Sequence, residues 1–392
     1  MFESLNDFVL TAIVLLSGGL LSMFIGRWLG RRSLIVLLLY AWHTVLGYYS
    51  SSYMLMSGGD AWGYYQHARF DFVQPNLGTE FISWITSIPV GLGFTYWPLA
   101  FLYNTAGAIG LIFFYSALQE TVEESSKPVF ARVLVLVCAL IPSLSFWTAG
   151  IGKDSIAFLS VGIFLWSVLA FGRRQAAAVA AVLIMLPVRP HIAGLMVLSV
   201  AAGTLFVKDL RGSVRFGMGA ISTAAAAFAV PLAFLYSGTT RFSTIGEFIS
   251  DRQEHNMAGG SSIDITSMNP VLRMFTYLYR PLPSDAASFE QFAASIDNLI
   301  LIALTAIGLI AIVRAGFIRV FRTYSIPMLY GLACLVLLSQ LTANLGLAMR
   351  QKWMLVPALM LVFVGAWSSR KADAATDRKS FRRLAGAPQA VR

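Results

Sequence analysis

The chain has 392 residues, 57% of them hydrophobic and only 12% charged, against roughly 25% charged residues in a soluble domain. That balance excludes a soluble globular protein and implies an integral membrane protein built almost wholly of spanning helices. The net charge of +10 is no sign of nucleic-acid binding, because the 29 Lys and Arg residues lie in short clusters between apolar runs, as topology signals do. A transmembrane barrel would show short segments of alternating polarity, and none is seen.

Eleven apolar runs follow one another, at 8–25, 33–49, 97–118, 133–148, 156–171, 176–188, 192–207, 216–236, 296–313, 324–343 and 353–367. A span needs about 20 residues, so the shorter runs cross only if their polar flanks enter as well. Glu3 and Asp7, not basic residues, precede the first run, which reads as a retained span and not a signal peptide. Cys138 and Cys334 lie inside apolar runs and read as small core residues. Alternating sides place 20 of the 29 Lys and Arg residues on one face. The positive-inside rule then puts the N-terminus outside and the C-terminus in the cytoplasm. The expected fold is an all-α polytopic bundle of about eleven spans occupying residues 1–370, with external loops at 50–95 and 238–295 and a basic, disordered cytoplasmic tail at 371–392.

The unusual residues collect on the external side. Ser57-Gly-Gly-Asp60-Ala-Trp-Gly-Tyr64-Tyr opens the first long loop. Asp60 there suits a general base on a sugar hydroxyl or a cation ligand, and the aromatics, Tyr64 among them, suit stacking on a sugar ring or anchoring the loop at the interface; the plainer alternative for Asp60 is an N-cap for a helix starting at Ala61. Phe81, Trp84, Ile85 and Ile88 have helical spacing and predict a short interfacial helix ending before Pro89.

Between the fourth and fifth runs stands Trp147-Thr-Ala-Gly-Ile-Gly-Lys153-Asp154. Charged side chains at such a corner are expensive and point to function. Lys153 would neutralise a diphosphate and Asp154 orient it; alternatively Asp154 caps the next helix and Lys153 snorkels to lipid phosphate. Arg189-Pro190-His191 follows Pro187, so the helix breaks there. An arginine fork suits phosphate oxygens, and His191 could serve as acid, base or phosphate donor; the alternative is an Arg-Pro turn that marks a helix start, with the arginine on lipid headgroups. Arg350 and Lys352 form a basic corner before the last run, with headgroup contact as the alternative. In the second long loop, 256–262 reads as a flexible centre; Leu272, Phe275, Leu278 and Tyr279 mark an amphipathic helix, either a lid over a lipid-linked substrate or a plain surface helix, next to Arg280. No P-loop, haem motif, esterase elbow or metal-ligand spacing is present, and the four histidines are scattered, so no cofactor or metal is expected.

On the Gly-Gly-Asp60-Ala-Trp-Gly-Tyr-Tyr stretch, the Trp147–Asp154 corner, Arg189-Pro-His191, Tyr279-Arg280-Pro-Leu-Pro and Arg350, the chain resembles bacterial polytopic proteins of exopolysaccharide and O-antigen clusters, which include GT-C-like glycosyltransferases and Wzy-type polymerases. The resemblance implies glycosyl transfer from a polyprenyl-(di)phosphate-linked donor at the external face of the bacterial inner membrane. Asp60 would be the base, while Lys153, Arg189, Arg280 and Arg350 would stabilise the lipid phosphate leaving group. The expected partners are a polyprenyl-phosphate-linked saccharide, membrane lipids and other polysaccharide-assembly proteins, but no nucleic acid. The competing readings are a transporter or flippase for a lipid-linked or anionic substrate, although no inverted repeat is visible, and a non-catalytic scaffold.

Overall fold

The structure is a computed structural model that describes residues 4–71, 73–123, 128–206, 261–265, 267–286 and 288–368, with isolated positions between 216 and 253. The eighth apolar run, Arg241 and Arg252, most of the expected flexible centre at 256–262 and the tail at 371–392 lie outside the described residues.

Among the described residues the chain is helical, with no strand beyond an isolated bridge between Ser262 and Asn344. In chain order the helices are α1 (Leu5–Trp28), α2 (Ser33–Ser57), α3 (Asp60–Phe70), α4 (Thr79–Gly91), α5 (Tyr96–Glu123), α6 (Pro128–Ala139), α7 (Pro142–Thr148), α8 (Lys153–Leu169), α9 (Phe171–Val188) and α10 (Pro190–Thr204). After the gap come α11 (Pro270–Tyr279), α12 (Phe289–Ala315), α13 (Phe317–Thr323), α14 (Ser325–Leu341), α15 (Leu345–Gln351) and α16 (Val356–Ser368). Among the described residues six helical stretches are long and apolar enough to cross a membrane, or up to eight when each bent pair counts as one span. The bent pairs are α13 with α14, at 97°, and the α15 segment with α16, at 51°. This is a multi-pass helical membrane protein.

Helix α5 is the axis of the bundle. Of its apolar window 83% is buried, against 28% for α1, which turns Leu16, Leu20 and Phe24 outward. Apolar side chains facing out around a buried centre are what a lipid solvent allows, because lipid tails are as apolar as the side chains themselves. Close approach is therefore made by small residues. A Cβ at Gly162 of α8 would fall 2.2 Å from the Gly110 carbonyl of α5, so these two helices touch backbone to backbone.

Several elements differ from expectation for identifiable reasons. The fourth run is broken at Leu140–Ile141, because Pro142 lacks an N–H and holds the residue before it extended. Asp297 of α12 then accepts hydrogen bonds from the Ser143 N–H and hydroxyl at 2.7 and 2.5 Å, putting a carboxylate at the start of α7. Helix α5 runs on to Glu123 where a polar linker was expected, because Glu120 and Glu123 pair with Arg31 and Arg174. Helix α4 passes through Pro89 to Gly91; a proline in the last turn forfeits only one bond. Asp60 is the first residue of α3 and not its N-cap, which is Gly59.

Candidate functional site

Four inter-helix corners meet at one end of the bundle. Gly58, at φ +70°, ends α2 in the left-handed conformation that favours glycine and delivers Asp60 to the start of α3. Gly152, at φ +149° and ψ −169°, lies in a region closed to residues with a side chain and turns the chain from α7 into Lys153 and Asp154 of α8. The Arg189–Pro190 break between α9 and α10 frees the Arg189 side chain, since Pro190 starts the new helix and Arg189 is left at ψ +80°. Arg350 projects from the short helix α15.

Their side chains form one chain of ion pairs. Arg189 Nη2 donates to Asp154 Oδ1 at 2.7 Å, and Arg350 Nε and Nη2 both reach Asp154 Oδ2 at 3.0 Å. Arg350 Nη1 donates to Asp60 Oδ2 at 2.6 Å. Neither Asp60 nor Asp154 caps its helix; the caps are the glycines before them, without side-chain bonds. The Asp154 side chain is 10% exposed and that of Asp60 58%. Lys153 Nζ donates to Thr79 Oγ1 of α4 at 2.8 Å, which ties the interfacial loop to the same corner. Tyr64 lies one turn after Asp60 and packs against Gly152. Beside them opens a cleft lined by Ser50 and Met54 of α2, Asp60, Trp147, the Gly150–Gly152 turn, Asp154 and Arg350.

Burial and charge set the protonation states. Burial alone would raise the Asp154 carboxyl, but the charges and hydrogen bonds of Arg350 and Arg189 outweigh it and hold the group below the usual carboxylate range. Burial, and then the charge of Arg189, lower the Lys153 ammonium to about 8 despite Asp154 and Asp60 nearby. Burial, helped by the Asp60 charge, pushes the Tyr64 phenol up to about 12, so it remains a proton donor. The assembly holds three cations and two carboxylates, of which Arg350, Asp60 and Asp154 line the cleft together with Trp147.

The structure thus brings together Asp60, Tyr64, Lys153, Asp154, Arg189 and Arg350. It places three other candidates elsewhere. Arg280 is held in a two-pronged pair with Asp285, Nε to Oδ2 at 2.8 Å and Nη2 to Oδ1 at 3.0 Å. Those hydrogen bonds raise Arg280 and, with the Leu282 N–H, lower Asp285. Lys352 is fully buried, not at the headgroups; its Nζ binds Asn298 Oδ1 and lies 3.4 Å from the Leu278 carbonyl. His191 is the second residue of α10, partly buried and outside the cleft lining. Thr79, Asp297 and Asn298 were missed. Asp297, a carboxylate just inside an apolar run, was the one legible signal among them. Among the described residues no group of three or more His, Cys, Asp or Glu is placed to hold a metal ion.

Comparison with known proteins returns no family model, no curated protein and no solved structure that matches the chain.

Proposed function

We propose that the protein is a membrane glycosyltransferase or polysaccharide polymerase that takes a polyprenyl-(di)phosphate-linked donor at the external face of a bacterial inner membrane, with eleven spans and the N-terminus outside. The observation that carries this is the Asp60–Arg350–Asp154–Arg189 chain, which links residues from four corners of the sequence, three of them lining one cleft. Transfer of a sugar to an acceptor hydroxyl breaks the anomeric C–O bond, leaves the electron pair on the lipid phosphate and releases the hydroxyl proton. Arg350, Arg189 and Lys153 are placed to hold the phosphate as its charge grows. Asp60, the exposed carboxylate, takes the proton. Asp154 keeps its two guanidiniums in register, and Trp147 offers a face for a sugar ring.

A second reading is a transporter for the same class of anion. It is favoured by the bent pair that carries Arg350, since broken helices line the substrate sites of many transporters. The lipid-linked saccharide pool of a deletion strain separates the two. Single repeat units facing outward without long polymer support a polymerase, and units one sugar short support a single-sugar transferase. Units trapped on the cytoplasmic side point to a flippase and overturn the proposal, as does an unchanged pool.

A further inference from the structure

Arg350 holds two carboxylates that differ in how firmly they are held. Its Nε and Nη2 face Asp154, which is 10% exposed and shared with Arg189; its Nη1 faces Asp60, which is 58% exposed and has no second ion-pair partner among the described residues. Separating the buried pair would strand a charge away from water, whereas an exposed pair is nearly balanced by solvent. The weak link in the chain of charges is therefore Asp60 on Arg350 Nη1.

We propose that the Asp60 carboxylate stands where a phosphate of the lipid-linked donor binds, and that the donor enters by displacing it from Arg350. This rests on the anion-site reading above. With Asp60 in place, three cations face two carboxylates; once it swings out, Lys153, Arg189 and Arg350 face Asp154 alone, leaving two positive charges for a phosphate. Arg189 keeps a buried Nε with no hydrogen-bond partner among the described residues, next to the Asp154 carboxylate that it shares with Arg350. The displaced Asp60 is the same group assigned as base. While Arg350 Nη1 occupies its Oδ2, that oxygen is engaged; displacement frees it to face the acceptor hydroxyl. Donor binding thus arms the base, and an empty site stays inactive.

The test is binding of a polyprenyl diphosphate to the purified full-length chain in nanodiscs of zwitterionic lipid, with the neutral polyprenol as the tail-only control. Arg350→Ala should weaken diphosphate binding about tenfold or more, leaving polyprenol unaffected. Asp60→Asn, which keeps the shape and removes the competitor, should tighten diphosphate binding several-fold while sugar transfer is lost. Asp71→Asn, an exposed carboxylate of the same loop paired with His67, should change neither. If Arg350→Ala binds as the wild type does, the anion-site reading falls. If it weakens binding but Asp60→Asn binds no tighter, the anion site stands and the displacement is wrong. Equal tightening in Asp71→Asn would reduce the effect to net charge and overturn the displacement as well.

Discussion

A carboxylate with a tenth of its surface exposed stays ionised only if something replaces the water it has lost, and for Asp154 two guanidiniums do so. Removing one partner of such a pair strands the other charge, at a cost of about 3–5 kcal/mol. Asp154→Asn, which strands the buried Arg189, should therefore lower the unfolding temperature in detergent by several degrees, and Arg189→Ala, which leaves Asp154 on Arg350, by less. The double variant Arg189→Met/Asp154→Asn should recover much of the loss, because no unpaired guanidinium then remains at that position. Asp60→Asn, at an exposed pair, should cost no more than about 1 kcal/mol. An Asp154→Asn protein melting with the wild type would show that the buried pairs do not hold the corner. At this scale the residue types were legible, but the partners were not. Asp60 and Asp154 each stand at a helix start, where a cap and a site residue look alike in sequence. The glycine before each helix takes the cap position, and an arginine pairs with each carboxylate.

Elements carry the site through close packing. A Cβ on Gly107 of α5 would lie 2.0 Å from the Thr148 carbonyl and 2.6 Å from His43 Nε2. Thr148 ends α7, four residues before the turn delivers Lys153, so any shift there moves the charged corner. Gly107→Ala should destabilise by about 1–3 kcal/mol and abolish complementation of a deletion strain. Gly91→Ala, with open space around it, should do neither. Wild-type complementation by Gly107→Ala would mean that the turn tolerates movement of its support. Apolar runs gave the helices well, since hydropathy is local. Their breaks, extensions and roles depended on contacts far along the chain. Glu120 and Glu123 looked like a linker until Arg31 and Arg174 paired with them. Arg280 and Lys352 looked like free cations until Asp285, five residues on, and Asn298 took them up.

Across the whole molecule, charge is sorted to two ends. Asp154 begins α8 in the cleft network, and Trp166 near the end of the same helix donates to Glu120 at 2.9 Å. The twelve helical steps from one to the other rise about 18 Å. At that second end Arg174 pairs with Glu120 at 2.8 Å and stacks on Trp166, while Arg31 pairs with Glu123. The corners after α2, α7, α9 and α14 supply the first network; those after α1, α5 and α8 supply the second. Alternating passes through a membrane produce such sorting, and the proposed orientation adds that the cleft end faces outward. Two uncharged, exposed positions test both statements without disturbing topogenic charge: Gln74 between α3 and α4, and Gln175 beside Arg174. The native Cys138 and Cys334 are buried and give little background. A membrane-impermeant maleimide should label Gln74→Cys in intact cells and Gln175→Cys only after permeabilisation. The reverse pattern would turn the cleft to the cytoplasm and remove the external lipid-linked donor from consideration. Labelling of both from one side would mean that α8 does not separate the two networks across a bilayer, and the sorting of charge would then need a cause other than topology.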